Sequence, residues 1–329
     1  MTLPSTDRLW AATLDAVLAA DTREHLARSR PVLAAKDRFV AGQTSDEAVE
    51  QAQRLRRTNR LAALHPLLPP ATDAAGVDRT VVEAVTAIEH IAPVTSGGDY
   101  RSEIYLAPEQ LGIGVDGSPA SDSPDLTGSR ALTRAARALA EVCAVGDEHR
   151  VDVTLRSGPV TAAEAVLDLV ETTRERYPRL TASIVARRHR SEADAARLAA
   201  SATRVRLVRG GAGEPASQSW QDPHETDLAY VRVLADLLGS GVHTVVATHE
   251  PLLLDLADGL ADQSGRGPVG LEYQFFLGVQ PELQMRTADA GHRVRVLVPY
   301  GQQWLEYLHD LARRPSGVGR LAAALLGRG

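Results

Sequence analysis

The sequence predicts an α/β chain folded as a (βα)8 TIM-like barrel with an N-terminal helical arm, and three observations carry that expectation. Eight short strand-like runs, Leu61 to Leu68, Glu103 to Ala107, Val151 to Leu155, Ala182 to Ala186, Val205 to Gly210, His243 to Thr248, Leu271 to Phe276 and Arg293 to Val298, recur along the chain. Their spacing of roughly twenty to forty-five residues suits βα alternation around a closed barrel better than an open sheet. The intervals carry a 3.6-residue apolar period, as in Ala162-Ala163-Ala165-Val166-Leu169-Val170 and Leu228-Val231-Leu234-Ala235-Leu238. Lastly, the run Val205-Arg206-Leu207-Val208-Arg209 enters the glycine-rich turn Gly210-Gly211-Ala212-Gly213, and two later runs also end in polar tips, Thr248-His249-Glu250 and Pro299-Tyr300-Gly301. Such strand ends bring cationic side chains and bare backbone amides to an anionic ligand.

Taken in order, residues 1–60 read as a helical arm and 61–329 as the barrel with its C-terminal helix. Within the arm, Asp46 to Leu55 is a helix opened by a Thr44/Ser45 cap. The run Leu9 to Ala20, interrupted by Asp15, is too short to span a bilayer and has no strongly basic leader, so neither a membrane span nor an export signal is expected. Gly114 to Gly128 follows the second strand as a loop, a lid or spacer. After the fourth strand, Arg187-Arg188-His189-Arg190 is either a solvated loop or an anion grip at the barrel mouth. Gly239 and Gly241 close the helix after the fifth strand as C-cap and turn.

Composition narrows the function. With 36 basic and 42 acidic residues the chain carries a formal charge of −6, so no nucleic-acid footprint is expected. Cys143 is the only cysteine, which excludes an internal disulfide and a cysteine-rich metal site, and the ten histidines lack zinc spacing. Lys36 is the only lysine and lies in the arm, which argues against a Schiff-base aldolase, and no lysine follows a glycine loop as a Walker motif requires. No GxSxG serine elbow occurs. The composition is that of a soluble cytoplasmic enzyme acting on a small molecule.

Four ordered motifs, RLVRGGA, ATHE, LEYQ and VPYG, followed by Trp304, Tyr307, Arg314 and Pro315, resemble the signatures of the FAD-dependent proline dehydrogenase family. The likeness covers about residues 36 to 316 and is strongest from 204 onward. It implies FAD as cofactor, with Arg206 beside the flavin ring as the catalytic cation that stabilises negative charge developing on reduction. It also implies a cofactor set of Val208, Arg209, Gly210, Thr248, His249, Glu272 and Gln274, with Arg209 standing for the family's lysine and Gly210 leaving backbone open to a phosphate.

On the substrate side the same resemblance finds losses. The family's consecutive arginines on the last helix, suited to a carboxylate, fall on His309 and Asp310 or on Asp310 and Leu311. Its lysine falls near Ala107, the acid of the third strand on Thr154, and the tyrosine closing the RLVKGAY motif on Ala212, with Tyr300 completing the expected substrate pocket. A pocket stripped of these cations repels a free carboxylate. Two functions of different class follow. One is a flavin-dependent oxidoreductase that oxidises a C–N bond of an amine or amino-acid-derived substrate other than free proline and passes electrons to an unknown acceptor. The other is a catalytically silent or non-redox barrel that acts as a binding or partner protein.

Overall fold

The computed structural model describes residues 27–94, 101–114, 129–210, 214–266 and 270–313. Ala212, residues 115–128 of the Gly114 to Gly128 stretch, the Leu9 to Ala20 run and the Arg314-Pro315 step lie outside them. Eight parallel strands close into a barrel in chain order: β1 (Arg60–Pro66), β2 (Glu103–Leu106), β3 (Asp152–Leu155), β4 (Thr181–Val185), β5 (Arg204–Val208), β6 (Thr244–Ala247), β7 (Leu271–Phe276) and β8 (Arg293–Tyr300). The ring is completed by β8 lying parallel to β1 from Arg60↔Val294 to Pro66↔Tyr300.

Among the described residues two helices precede the barrel, α1 (Arg30–Phe39) and α2 (Ser45–Arg56). Seven more described α-helices lie between strands: α3 (Ala74–Ile91), α4 (Ser129–His149), α5 (Ala163–Arg174), α6 (Ser191–Ala200), α7 (Pro223–Ser240), α8 (Pro251–Gln263) and α9 (Pro281–Asp289). The chain then enters α10 (Trp304–Arg313). Thr44 caps α2 through a reciprocal box, its hydroxyl accepting from the Glu47 N–H while Glu47 accepts from the Thr44 N–H. Helix α7 runs through Gly239, and only Gly241, at φ 86°, serves as the left-handed cap. In α1, the Lys36 ammonium sits 5.3 Å from the Trp304 ring centre, while Ala35, Phe39 and Val40 pack on Tyr307, Leu308 and Leu311. This contact fixes α10 beside the barrel mouth.

Strand alternation splits each strand between two environments. Outward residues such as Leu64, Ile104, Leu207, Val246, Tyr273 and Val298 form one apolar core with Ile88, Leu139, Val170, Leu198 and Leu237 of the surrounding helices. Inward residues make a charged floor where branched apolar layers are common in such barrels. Arg295, 1% exposed, pairs with Glu272, donates 2.9 Å to the Arg101 carbonyl and lies 3.6 Å from Glu103. Asp152 receives both arms of Arg179 at 2.6 and 2.8 Å and approaches Arg204 at 3.4 Å. Burial pushes Glu272 up, but the Arg295 charge and hydrogen bond hold its pKa at about 2, while burial raises Glu103. Among the described residues no helix is long and apolar enough to cross a membrane.

Candidate cofactor and substrate cavity

A cavity of about 840 Å³ opens at the C-terminal mouth of the barrel, the end at which ligand sites of this architecture are built. Its base is Arg206, which is 4% exposed and points inward from β5. The Arg206 Nε donates to Gln274 Oε1, and its guanidinium lies 5.0 Å from the Tyr105 ring centre. Gln274 donates in turn to Glu103 at 3.3 Å, so the cation is tied to the charged floor through an amide whose two ends are both engaged.

Val208, two residues along the inward face of β5, lines the cavity. Gly210 lines it too, at φ 101°, and an added Cβ would stand 2.6 Å from Val185 Cγ1 and 3.0 Å from Arg187 Cβ. The glycine is therefore required by backbone twist and by its neighbours, before any phosphate is considered. On the opposite lip, Thr248 Oγ1 accepts from the Glu250 N–H at 3.2 Å. The His249 ring stacks at 5.7 Å on Phe275, and its Nε2 accepts from the Phe276 N–H at 3.4 Å. Both residues line the cavity, as does Ala107.

Other expected site residues are placed differently, some by their depth along a strand and some by strand or helix phase. Glu272 shares the inward face of β7 with Gln274 but sits about 7 Å deeper, where Arg295 holds it, and does not line the cavity. Thr154 is likewise absent from the cavity lining, fully buried with an Oγ1 that has no partner among the described residues. Arg156, immediately after β3 and two positions beyond Thr154, does line the cavity. Arg209 falls on the outward phase of β5; it borders the mouth, but its guanidinium donates to Asp227 and to the Pro223 carbonyl. Tyr300 also faces the helix layer, its hydroxyl donating 2.8 Å to Glu83 in a separate cavity of about 230 Å³.

Helix α10 presents Glu306, Tyr307 and Asp310 to the cavity, preceded by Gln303, a spacing of three and four residues that marks one helical face. His309 lies off that face. Of His309, Asp310 and Leu311, the expected positions of the arginine pair, only Asp310 looks into the site.

The basic patch after β4 is an internal structure. Arg188, 4% exposed, donates to Glu214 and to the Gly158 carbonyl, and Arg190 pairs with Asp194 and Glu164. His189 meets Trp220 edge to face at 4.6 Å. These partners tie the loop to the segment after β5 and leave it neither merely solvated nor an open anion grip.

Sequence reasoning missed Arg156, Glu109, Glu306 and Ser183 as cavity residues. Arg156 is detectable as a charged residue two positions beyond an inward strand position. Glu109 belongs to the 3-10 turn Pro108–Leu111 and Ser183 to a uniformly buried strand, so neither carries a local signal.

No family model matches this chain. Among curated proteins it is 28% identical over 290 residues to Proline dehydrogenase 1 of Bacillus subtilis, covering 88% of this chain and 90% of that protein. It is 29% identical over 319 residues to a proline dehydrogenase of Deinococcus radiodurans, covering 96% of each. Solved structures of similar fold include proline utilization A of Bdellovibrio bacteriovorus inactivated by N-propargylglycine, with TM-score 0.75 and 16% identity over 94% of this chain. A proline utilization A of Bradyrhizobium japonicum gives TM-score 0.70 and 20% identity. The chain spans 35% and 36% of those two much longer proteins.

Proposed function

We propose that this homologue of the proline dehydrogenases is a flavin-dependent oxidoreductase that holds FAD at the barrel mouth and oxidises a C–N bond of an amine or amino-acid-derived substrate other than free proline. The observation that supports it is a cation kept beside a cation lost: Arg206 is fixed at the cavity base by Gln274, while the charged residues that α10 presents to the cavity are Glu306 and Asp310. The cavity fits the cofactor in its donor chemistry. A buried arginine meets the negative charge of a reduced ring, Gly210 exposes backbone at the lip, and the Ser183 hydroxyl is buried at the base without a partner among the described residues.

When bound, FAD supplies the hydride acceptor for a carbon next to nitrogen. The chain's own part is to orient and to exclude water. Arg206 holds the cation in place, Val208, Thr248 and His249 shape the wall, and Tyr105, Tyr307 and Phe276 give the substrate an apolar seat. Asp310 and Glu306 at the rim disfavour an incoming carboxylate and favour an ammonium or a neutral group. The test is spectroscopic: the purified protein is expected to show flavin absorbance or a melting-temperature rise on FAD addition, with no bleaching by L-proline. Colourless protein without an FAD-induced shift would remove this reading.

A catalytically silent barrel that serves as a binding protein is the second reading. It is favoured by two side chains expected to serve the cofactor being engaged within the fold, Arg209 with Asp227 and Glu272 with Arg295.

A further inference from the structure

The tips of β2 and β3 place a second charged pair inside the cavity. The Arg156 backbone N–H donates to the Leu106 carbonyl at 2.8 Å, which fixes the side chain beside the Pro108–Leu111 turn. Its Nη2 donates to Glu109 Oε2 at 2.7 Å, and its buried Nε has no hydrogen-bond partner among the described residues. Arg156 is 35% exposed and Glu109 19%, and both line the cavity. The other two cavity arginines are committed, Arg206 to Gln274 and Arg209 to Asp227. Ala107, on the neighbouring tip, offers only a methyl group.

We propose that Arg156 and Glu109 form the contact that reads the substrate's second functional group, and that it selects a neutral carbonyl, as in an amide or ester of a cyclic amino acid, over a free carboxylate. The inference rests on the cavity being the substrate site. Its physical basis is local charge balance. One guanidinium already answers the Glu109 carboxylate and lies in the field of Asp310; burial works against its charge, yet Glu109, Tyr105 and Asp310 together raise its pKa. A free carboxylate would be a third anion around one cation, and each like-charge approach within a few ångströms costs more as water is excluded. A neutral carbonyl meets a charge-assisted donor and brings no repulsion. The pair thus offers hydrogen bonding without surplus positive charge, and hydrogen bonding of that kind separates an amide from an acid.

The experiment is calorimetric titration of the purified protein with L-prolinamide, L-proline and pyrrolidine. The native protein is expected to bind L-prolinamide about tenfold more tightly than either of the others, the usual effect of one charge-assisted hydrogen bond. Arg156→Gln should shrink the preference for L-prolinamide over pyrrolidine about tenfold. Glu109→Gln should raise affinity for L-proline about tenfold, because an anion leaves and Nη2 is released. Equal binding of L-prolinamide and pyrrolidine by the native protein, tighter binding of L-proline, or no binding of any probe overturns the proposal. So does a Glu109→Gln protein without the gain, which decides the matter even if Arg156→Gln does not fold. Visible flavin bands, recorded on the same samples, keep the cofactor question separate. Colourless protein that shows no FAD-induced melting-temperature shift but keeps the amide preference supports this contact and removes the flavoenzyme reading; yellow protein without the preference does the reverse.

Discussion

Arg206 shows how much one side chain depends on what lies beneath it. Its guanidinium is held by the Gln274 carbonyl, and the Gln274 amide is held by Glu103. Arg206→Ala removes the cation at the cavity base and leaves the buried Gln274 carbonyl without that donor, so FAD affinity should fall at least about tenfold, as read by fluorescence titration. Unchanged affinity would mean that the flavin lies elsewhere. Gly210 makes a different kind of point. Its φ of 101° and the 2.6 Å approach to Val185 make Gly210→Ala unfavourable on steric grounds, and the variant should lose roughly 1–3 kcal/mol in denaturant unfolding, with or without FAD. A loss seen only in the FAD-loaded protein would assign the glycine to the cofactor instead.

At the level of elements, the eight strands were legible because buried runs of four to eight residues between amphipathic helices leave few alternatives. Where side chains point at the strand ends was less so. Resemblance carries a residue over by its place in a motif, whereas the cavity is reached only by the correct phase. Hence Arg206 and Val208 point into it, while Arg209 borders the mouth with its guanidinium turned to Asp227, and Tyr300 turns to Glu83. Helix α10 follows the same rule with a 3.6-residue period, which separates Asp310 from its neighbour His309. Asp310→Arg should accordingly tighten binding of L-proline or another small carboxylate by about tenfold, measured by titration, whereas His309→Arg should leave that affinity within about twofold, since a residue off the binding face contributes little. Equal effects of the two substitutions would show that α10 is rotated from the placement described.

At the scale of the whole molecule, the barrel floor links stability to pH. The Arg295–Glu272 pair is fully buried, so Arg295→Met, which leaves an uncompensated carboxylate, should cost roughly 3–5 kcal/mol at neutral pH, measured by chemical denaturation. Alternating patterns could mark these residues as inward, yet only barrel closure brings β2, β7 and β8 close enough for Glu103, Glu272 and Arg295 to interact. Their titration has a sign that can be worked out. Burial, with help from Arg204, lowers the His243 pKa from 6.5 to about 3, so as pH falls through that window the unfolded chain takes up a proton that the folded chain refuses. Stability therefore declines from about pH 6.5 downward. Glu272, held at about 2 against an ordinary 4.5, adds a second decline as pH falls below about 4.5. Glu103, raised by burial, works in the opposite direction because its folded form binds a proton first. Unfolding free energy measured from pH 7 to pH 3 should thus fall in two stages, and His243→Asn should flatten the first stage while leaving the second. A His243→Asn protein that keeps the full slope between pH 6.5 and 4.5 would place the titrating group elsewhere in the barrel.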